Sequence, residues 1–536
     1  MKLRQLPYGI GTRFNPEKGC LPETRVKFLD AISDWVNDLD LSSPKVMILF
    51  GQAGTGKSSI ANEIAQKFHN VDRLTTSYCF IKGEPSSRES YRFFTTLARN
   101  LCSKYPAFGA SLGRIIGNDM DVVSAQDYTT LFKTLLLDPM NDLHFVSPVF
   151  IIVDALDEGE DNGRGSRAGG RIPFHTFLGQ HLSELPDNFR ILITSRPEAE
   201  IEKAFPESAL VRHMRIDDHD LADKVHDDIL VYIRTKLYET NIDEDSLYKL
   251  MVKAEGLFQW ASVACDYIAN PPPGLNSKHC LGQVLQSSDI NEAVDRLDNL
   301  YSTVLEAHFY MKDCRIRDNF KSVMGQILAA FEPLSIVSLN MMMRHHANVG
   351  GNTHASDIDV SDVVRHMGSL LSNVTPSTST LPIAPLHTSF RDFLTDVKRS
   401  GNFHIGLDDA HCQLASATQR TMQAVLHFNM CGLETSYRLN SEVRDLKERI
   451  EKYIPVALSY SCRFWAGHLA LVPRFDLDLF QSLRALLEKN FLFWLEVLSV
   501  MRSLDLATAA LLSSRTWLSR VQDHVSIKIS YSLLHT

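Results

Sequence analysis

Hydrophobic positions in the first two hundred residues fall into short unbroken runs, separated by stretches with a helical period. Val46-Met-Ile-Leu-Phe50, Pro148-Val-Phe-Ile-Ile-Val-Asp154 and Arg190-Ile-Leu-Ile-Thr194 are too short for helices and apolar at successive positions. That pattern predicts strands buried on both faces, as in a parallel sheet. After the first run the period changes, with Ile60, Ala61, Ile64, Ala65 and Phe68 forming a stripe that predicts a helix packed on the preceding strand. Farther on, Val225, Ile229, Ile233 and Leu237 recur every fourth residue after an acidic stretch over 217–228, which predicts one amphipathic helix. Residues 247–261, apolar on through Tyr267 and Ile268, predict a helical pair pivoting at Gly256, and Asn270-Pro-Pro-Pro-Gly274 ends it. From Ala410 the pattern stays amphipathic through Leu426, Ile454, Leu469, Leu483 and Leu495, and the aromatic clusters Phe464-Trp465 and Phe491-Leu-Phe-Trp494 read as core. The last residues, 526–536, carry no helix pattern, and no self-similar period of about 30 to 45 residues marks a repeat array.

Candidate chemistry sits at the ends of the three strand-like runs. The first passes straight into Gly51-Gln-Ala-Gly-Thr-Gly-Lys-Ser58, the pattern G-x-x-x-x-G-K-[ST]. Glycines at 51, 54 and 56 allow a turn with positive φ whose N–H groups face inward, and the following helix N-terminus favours an anion. Gln52, Ala53, Thr55 and Ser59 complete this expected phosphate cradle; Lys57 would reach the β and γ phosphates, and the Ser58 hydroxyl would bind Mg²⁺. The second run ends in Asp154, followed by Asp157 and Glu158. An acid at the tip of a buried strand is costly without a cation, so Asp154 is assigned to the metal, and either Asp157 or Glu158 to the attacking water. The third run ends in Ser195-Arg196-Pro197, which predicts Arg196 near the γ-phosphate, because parallel strands end on one crevice. The glycine- and arginine-rich stretch over 159–173 reads as a mobile loop.

Composition narrows the class. The chain has 536 residues, 44% hydrophobic, with a net charge of −9, which excludes a protein whose main work is to coat nucleic acid or an anionic membrane. No apolar stretch is long enough to span a bilayer, the opening residues lack a signal-peptide core, and nine scattered cysteines without a C-x-x-C pair point to reduced thiols. A cytoplasmic protein is the expectation. No [NT]-K-x-D element reads guanine and no L-S-G-G-Q stretch is present, which disfavours Ras-like GTPases and transporter ATPases. His345, His346, His354 and His366 lack the spacing of a zinc site.

Taken together, Gly51–Ser58, Val153-Asp-Ala-Leu-Asp-Glu158, Thr194-Ser-Arg-Pro-Glu198 and Glu255-Gly-Leu-Phe-Gln-Trp-Ala261 resemble the fungal NACHT proteins of the STAND class of P-loop NTPases, whose NTPase region is described as nephrocystin-3-like. Thr24-Arg25 with Ile32 and Trp35 is similar to their leader, and Glu332-Pro-Leu-Ser335 and Leu386–Leu394 to their winged-helix segment. The resemblance implies an α/β P-loop NTPase with an AAA+/STAND-like parallel sheet, followed by an α-helical domain, a winged-helix domain and a helical C-terminal region. The implied boundaries are a leader helix over 1–44, the NTPase core over 45–205, a helical domain over 206–275, a winged helix over 285–400 and a helical region over 401–536. It further implies a switch: ADP holds the parts closed with His387 near the β-phosphate, and ATP exchange opens them for assembly of copies of the chain and signalling in defence or self-recognition. The residues alone leave a second reading of His387, a hydrogen-bonded core histidine. Where related families place Gly-x-Pro against adenine, this chain has Gly256-Leu257-Phe258, so ATP and GTP both stay open as ligands. Slow hydrolysis and a static nucleotide-bound scaffold are the two functions the sequence supports, with protein partners unspecified.

Overall fold

The computed structural model describes residues 13–40, 42–80, 90–118, 127–141, 143, 148–159, 172–216, 219–272, 274–286, 293–347, 359–435, 437–474 and 476–533, with the backbone alone at 219–223, 293, 345–347 and 520–533. The chain divides into two compact units, Met1–Leu300 and Tyr301–Thr536.

The first unit is built on five parallel strands, β1 (Val46–Phe50), β2 (Leu74–Cys79), β3 (Val149–Asp154), β4 (Phe189–Ser195) and β5 (Val211–Arg215), in the order β2-β3-β4-β1-β5. The three apolar runs are the three inner strands, each buried along its whole length. Strand alternation explains why they are continuously apolar. Val46, Ile48, Phe50, Ile151 and Val153 enter one core, whereas Met47, Leu49, Phe150 and Ile152 enter the other. Helices α1 (Val26–Asn37) and α2 (Lys57–Asn70) cover the second face through Phe28, Ile32, Trp35, Ile60, Ile64 and Phe68. The Trp35 indole N–H donates to the Pro44 carbonyl at 2.7 Å, fixing the leader to the entry of β1. On the first face lie α3 (Tyr91–Lys104), α4 (Pro106–Asn118), α5 (Phe174–His181) and α6 (Ala199–Ala204), contributing Phe93, Phe94, Leu112, Phe174, Phe177 and Ile201.

The register aligns the strand tips. β1 and β4 pair from Val46 opposite Ile191 to Phe50 opposite Ser195, and Cys79 lies opposite Asp154 on β2 and β3. After the sheet come α7 (His219–Leu237), α8 (Glu244–Ala254) and α9 (Phe258–Ala269). The expected pivot is present: Glu255 at φ 39° and Gly256 at φ 83° turn the chain between α8 and α9. The expected loop over 159–173 falls on 160–171, outside the described residues.

The second unit is helical. Among its elements are α10 (Cys314–Ala329), α11 (Thr388–Thr395), α12 (Leu407–Val425), α13 (Val456–Ala470) and α14 (Leu506–Leu533). Between 301 and 400 the extended pairing among the described residues consists of isolated antiparallel bridges, Ser335 with Pro382 and Leu371 with Pro385. The aromatic clusters are core, as expected: Trp465 and Trp494 meet edge to face at 5.6 Å, and the Trp494 N–H donates to the Cys462 carbonyl at 2.8 Å. One expectation needs correction. Residues 526–533, which show no amphipathic period, continue the helix α14 begun at Leu506, because a helix already nucleated extends through residues of weak pattern at little cost.

Candidate functional site

The loop after β1 is shaped by two different kinds of glycine. Gly54 and Gly56 have φ of 81° and 90°, where a side chain is strained. Gly51 does not share this conformation, contrary to the sequence expectation. Its constraint is space: a Cβ there would lie 2.7 Å from Thr55 Oγ1 and 3.3 Å from Ile216. The Gly51 N–H bonds to the Ser195 carbonyl at 3.3 Å, so the loop starts at the tip of β4. The buried Thr55 closes the loop internally, its hydroxyl donating to the Gln52 carbonyl at 2.9 Å. Exposed Gln52 and half-buried Ala53 form the outer bend, and Gly56 caps α2, whose first turn carries Lys57, Ser58 and Ser59.

Lys57 lies back along this loop, its ammonium donating to the carbonyls of Gly51 at 2.7 Å and Gln52 at 2.9 Å. Burial pushes its pKa down, opposed by the carboxylate of Asp157. Across the crevice, Asp154 is 6% exposed and held by three side chains. The hydroxyls of Ser58 and Thr194 donate to its Oδ1 at 3.1 and 2.5 Å, and the Cys79 thiol donates to Oδ2 at 3.3 Å. Thr194 in turn accepts from the Ala155 N–H at 2.9 Å, which fixes the hydroxyl proton toward Asp154. Burial and the neighbouring Asp154 carboxylate push the Cys79 thiol well up, so it stays a protonated donor. Ser58 and Asp154 are hard oxygen donors at a helix N-terminus, and this set fits Mg²⁺, which combines one or two protein oxygens with phosphate and water.

The acids after β3 take different positions, although the sequence reading left their roles interchangeable. Ala155 at φ 57° throws the chain into a single 3₁₀ turn, Leu156–Glu158. Asp157, with its side chain 5% exposed, is taken up by Arg196: Oδ1 accepts the Arg196 backbone N–H at 3.1 Å, and Oδ2 lies 3.1 Å from Nε. Glu158 lies 3.9 Å from Arg196 Nη2. The arginine is thus held by Asp157, with Glu158 at the edge of ion-pair distance, at the tip of β4 beside the β1 loop.

His387 belongs to the second unit. It caps α11, Nδ1 accepting from the Ser389 N–H at 3.1 Å and lying 2.7 Å from the Ser389 hydroxyl, which meets the Tyr301 hydroxyl at 2.7 Å. An accepting Nδ1 places the neutral ring's proton on Nε2. Of the four histidines between 345 and 366, only His366 has a described side chain, stacked on His308 at 5.6 Å. Thr194 and Cys79 were not singled out from sequence. Thr194 could have been recognised as a hydroxyl on a buried strand tip; Cys79 depends on the pairing of β2, which the sequence does not announce.

No curated protein matches the chain. Residues 24–196, which run from the leader through the loop, the acids after β3 and Arg196, match the family described as Nephrocystin 3, N-terminal.

Proposed function

We propose that the chain is a nucleotide-dependent switch of the NACHT/STAND kind, which binds ATP or ADP with Mg²⁺ in the Gly51–Ser59 loop and hydrolyses slowly. What supports the reading is the convergence of a helix N-terminus, Lys57, Ser58, Asp154, Glu158 and the Asp157-held Arg196 at the ends of three adjacent strands. The loop N–H groups and Lys57 would hold the phosphates, and Ser58 and Asp154 the cation. Mg²⁺, when bound, neutralises charge that develops on the transferred phosphoryl group. Glu158 is the carboxylate to orient the attacking water, since Asp157 is engaged in positioning Arg196. Gln52, Ala53, Thr55 and Ser59 shape the cradle, and GTP remains an alternative ligand. Residues 285–400 would serve as the winged-helix lever, with His387 meeting the β-phosphate in the ADP state and opening leading to self-association in the cytoplasm, in a fungal defence setting. No helix among the described residues is long and apolar enough to cross a membrane.

The deciding experiment is calorimetry of Mg-ATP and Mg-ADP on the full chain and on Lys57→Ala, with phosphate release measured in parallel. A lysine bound to phosphate is worth about 1.5–3 kcal/mol, so the variant is expected to bind at least tenfold more weakly. Equal affinity in the two proteins would remove the loop from consideration. Binding without phosphate release would favour the second reading, a scaffold that keeps nucleotide as a structural ligand.

A further inference from the structure

Two segments set apart by sequence have no part in the chemistry just described: Thr24-Arg25 and Gly256-Leu257-Phe258-Gln259. Both meet the phosphate loop from behind. A loop that turns its N–H groups inward toward an anion directs its carbonyls outward, and two consecutive carbonyls are captured there. The Gly54 carbonyl accepts the Gln259 N–H of α9 at 2.9 Å, and the Thr55 carbonyl accepts Arg25 Nη2 at 2.5 Å. The packing is close, since a Cβ on Gly54 would fall 2.8 Å from the Gln259 Cβ.

Arg25 is an unusual residue for this task. It is 3% exposed, has φ of 60°, and its backbone N–H is held by Asp228 of α7 at 2.9 Å. Its guanidinium lies 4.6 Å from the Phe258 ring centre, and Nη1 has no hydrogen-bond acceptor among the described residues. Burial lowers its pKa to about 10, so it remains charged near neutrality. A strained, buried and incompletely bonded arginine is costly, and it persists only where the surroundings over-determine it.

We propose that Arg25 and the Phe258-Gln259 turn form an outer clamp that fixes the phosphate loop in its binding shape and couples that shape to α7 and α9. Arg25 is a positioning residue that acts through the Thr55 peptide and does not touch the ligand. This rests on the nucleotide reading of the loop.

The test uses the full chain with three ligands, Mg-ATP, Mg-ADP and magnesium tripolyphosphate, the last offering phosphates without base or sugar. Arg25→Ala is expected to weaken all three by a similar factor, roughly tenfold or more, the scale of one charge-assisted hydrogen bond. Arg25→Lys should recover part of that loss, because it restores a cationic donor without the flat face that lies on Phe258. Ligand should slow hydrogen exchange at the Gln259 amide in the wild type and leave it unchanged in Arg25→Ala, a readout that general loosening would not produce. If Arg25→Ala fails to fold, Arg25→Lys and Phe258→Leu decide the matter, each expected to show a smaller, equal loss across the ligands. Weakened ATP and ADP with unaltered tripolyphosphate would show Arg25 contacting base or ribose and overturn the clamp, as would unchanged affinities. A wild type that binds none of the three sinks the nucleotide reading itself, which separates that failure from failure of the clamp.

Discussion

Asp157 and Glu158 are neighbours of the same type, yet Arg196 distinguishes them by taking both oxygens of Asp157. Glu158→Gln should therefore keep Mg-nucleotide affinity and lose about 10²–10⁴-fold in single-turnover phosphate release, the scale of a positioned base. Asp157→Asn should act indirectly, weakening turnover less and doing so by releasing Arg196. The reverse ranking would return the water to Asp157. His387 invites a second comparison. His387→Leu is expected to lower ADP affinity more than ATP affinity and to raise self-association with ATP, read by light scattering, if the ring meets phosphate in the ADP state. Because the same ring caps α11, His387→Asn is the control: it keeps the cap, whose loss alone costs about 1 kcal/mol. An effect of His387→Leu that His387→Asn does not share would leave the histidine a capping residue. At this scale the sequence exposed Lys57, Ser58 and Asp154 through spacing alone. It could not reveal the division of labour at 157 and 158, which arises from a contact with a residue some forty positions away.

Among the elements, close helix contacts give the sharpest expectations. At Gly179 in α5 a Cβ would stand 2.2 Å from the Ala204 carbonyl oxygen, backbone that cannot rotate away. Gly179→Ala should cost about 1–3 kcal/mol by overpacking. Gly113→Ala in α4, with nothing within 4 Å of the new carbon, should instead stabilise by about 0.5–1 kcal/mol. Urea midpoints of the two variants should move in opposite directions. The inner strands were legible because both faces are buried, so every side chain is apolar. β2 and β5 were not. β2 buries Thr75, Thr76 and Ser77, and its polar groups are used locally, Thr76 accepting from Asn100 at 2.6 Å and Ser77 from the Phe14 N–H at 2.9 Å. β5 is an edge strand with Arg212, His213 and Arg215, and only Val211 fully buried. Both strands owe their state to neighbours that a local pattern does not contain.

At the scale of the whole molecule, the second unit holds three histidines whose protonation the fold opposes. His468 is fully buried, meets the Tyr460 hydroxyl through Nε2 at 2.7 Å and His411 through Nδ1 at 2.9 Å, and stacks on Phe331 at 4.3 Å. Burial drives its pKa well below 6.5, and burial together with stacked His366 lowers His308 to about 4. His366 is lowered as well. Folded pKa values below the unfolded ones mean that the unfolded chain binds the protons first. The stability these histidines allow is thus complete above pH 6.5 and falls as pH drops from 6.5 toward 4, by at most about 1.4 kcal/mol per pH unit for each histidine. Thermal melts followed by tryptophan fluorescence should show this slope, and His468→Phe should flatten it.

The position of β4 between β3 and β1 has a consequence for how the protein is made. The strand that separates the loop from the acid is the fourth to leave the ribosome, long after both of its neighbours. Until Phe189–Ser195 arrives, β1 and the apolar run of β3 up to Asp154 leave their shared slot open, and such edges recruit other chains. A fragment stopping at Leu185 should accumulate as aggregate, whereas one reaching Leu300 should stay in solution, a contrast that sedimentation of the two translation products would reveal. Nascent-chain protection, by a chaperone that shields sheet edges, is therefore a need written into the strand order, and premature stop codons before that point would yield an adhesive product in place of an inert one.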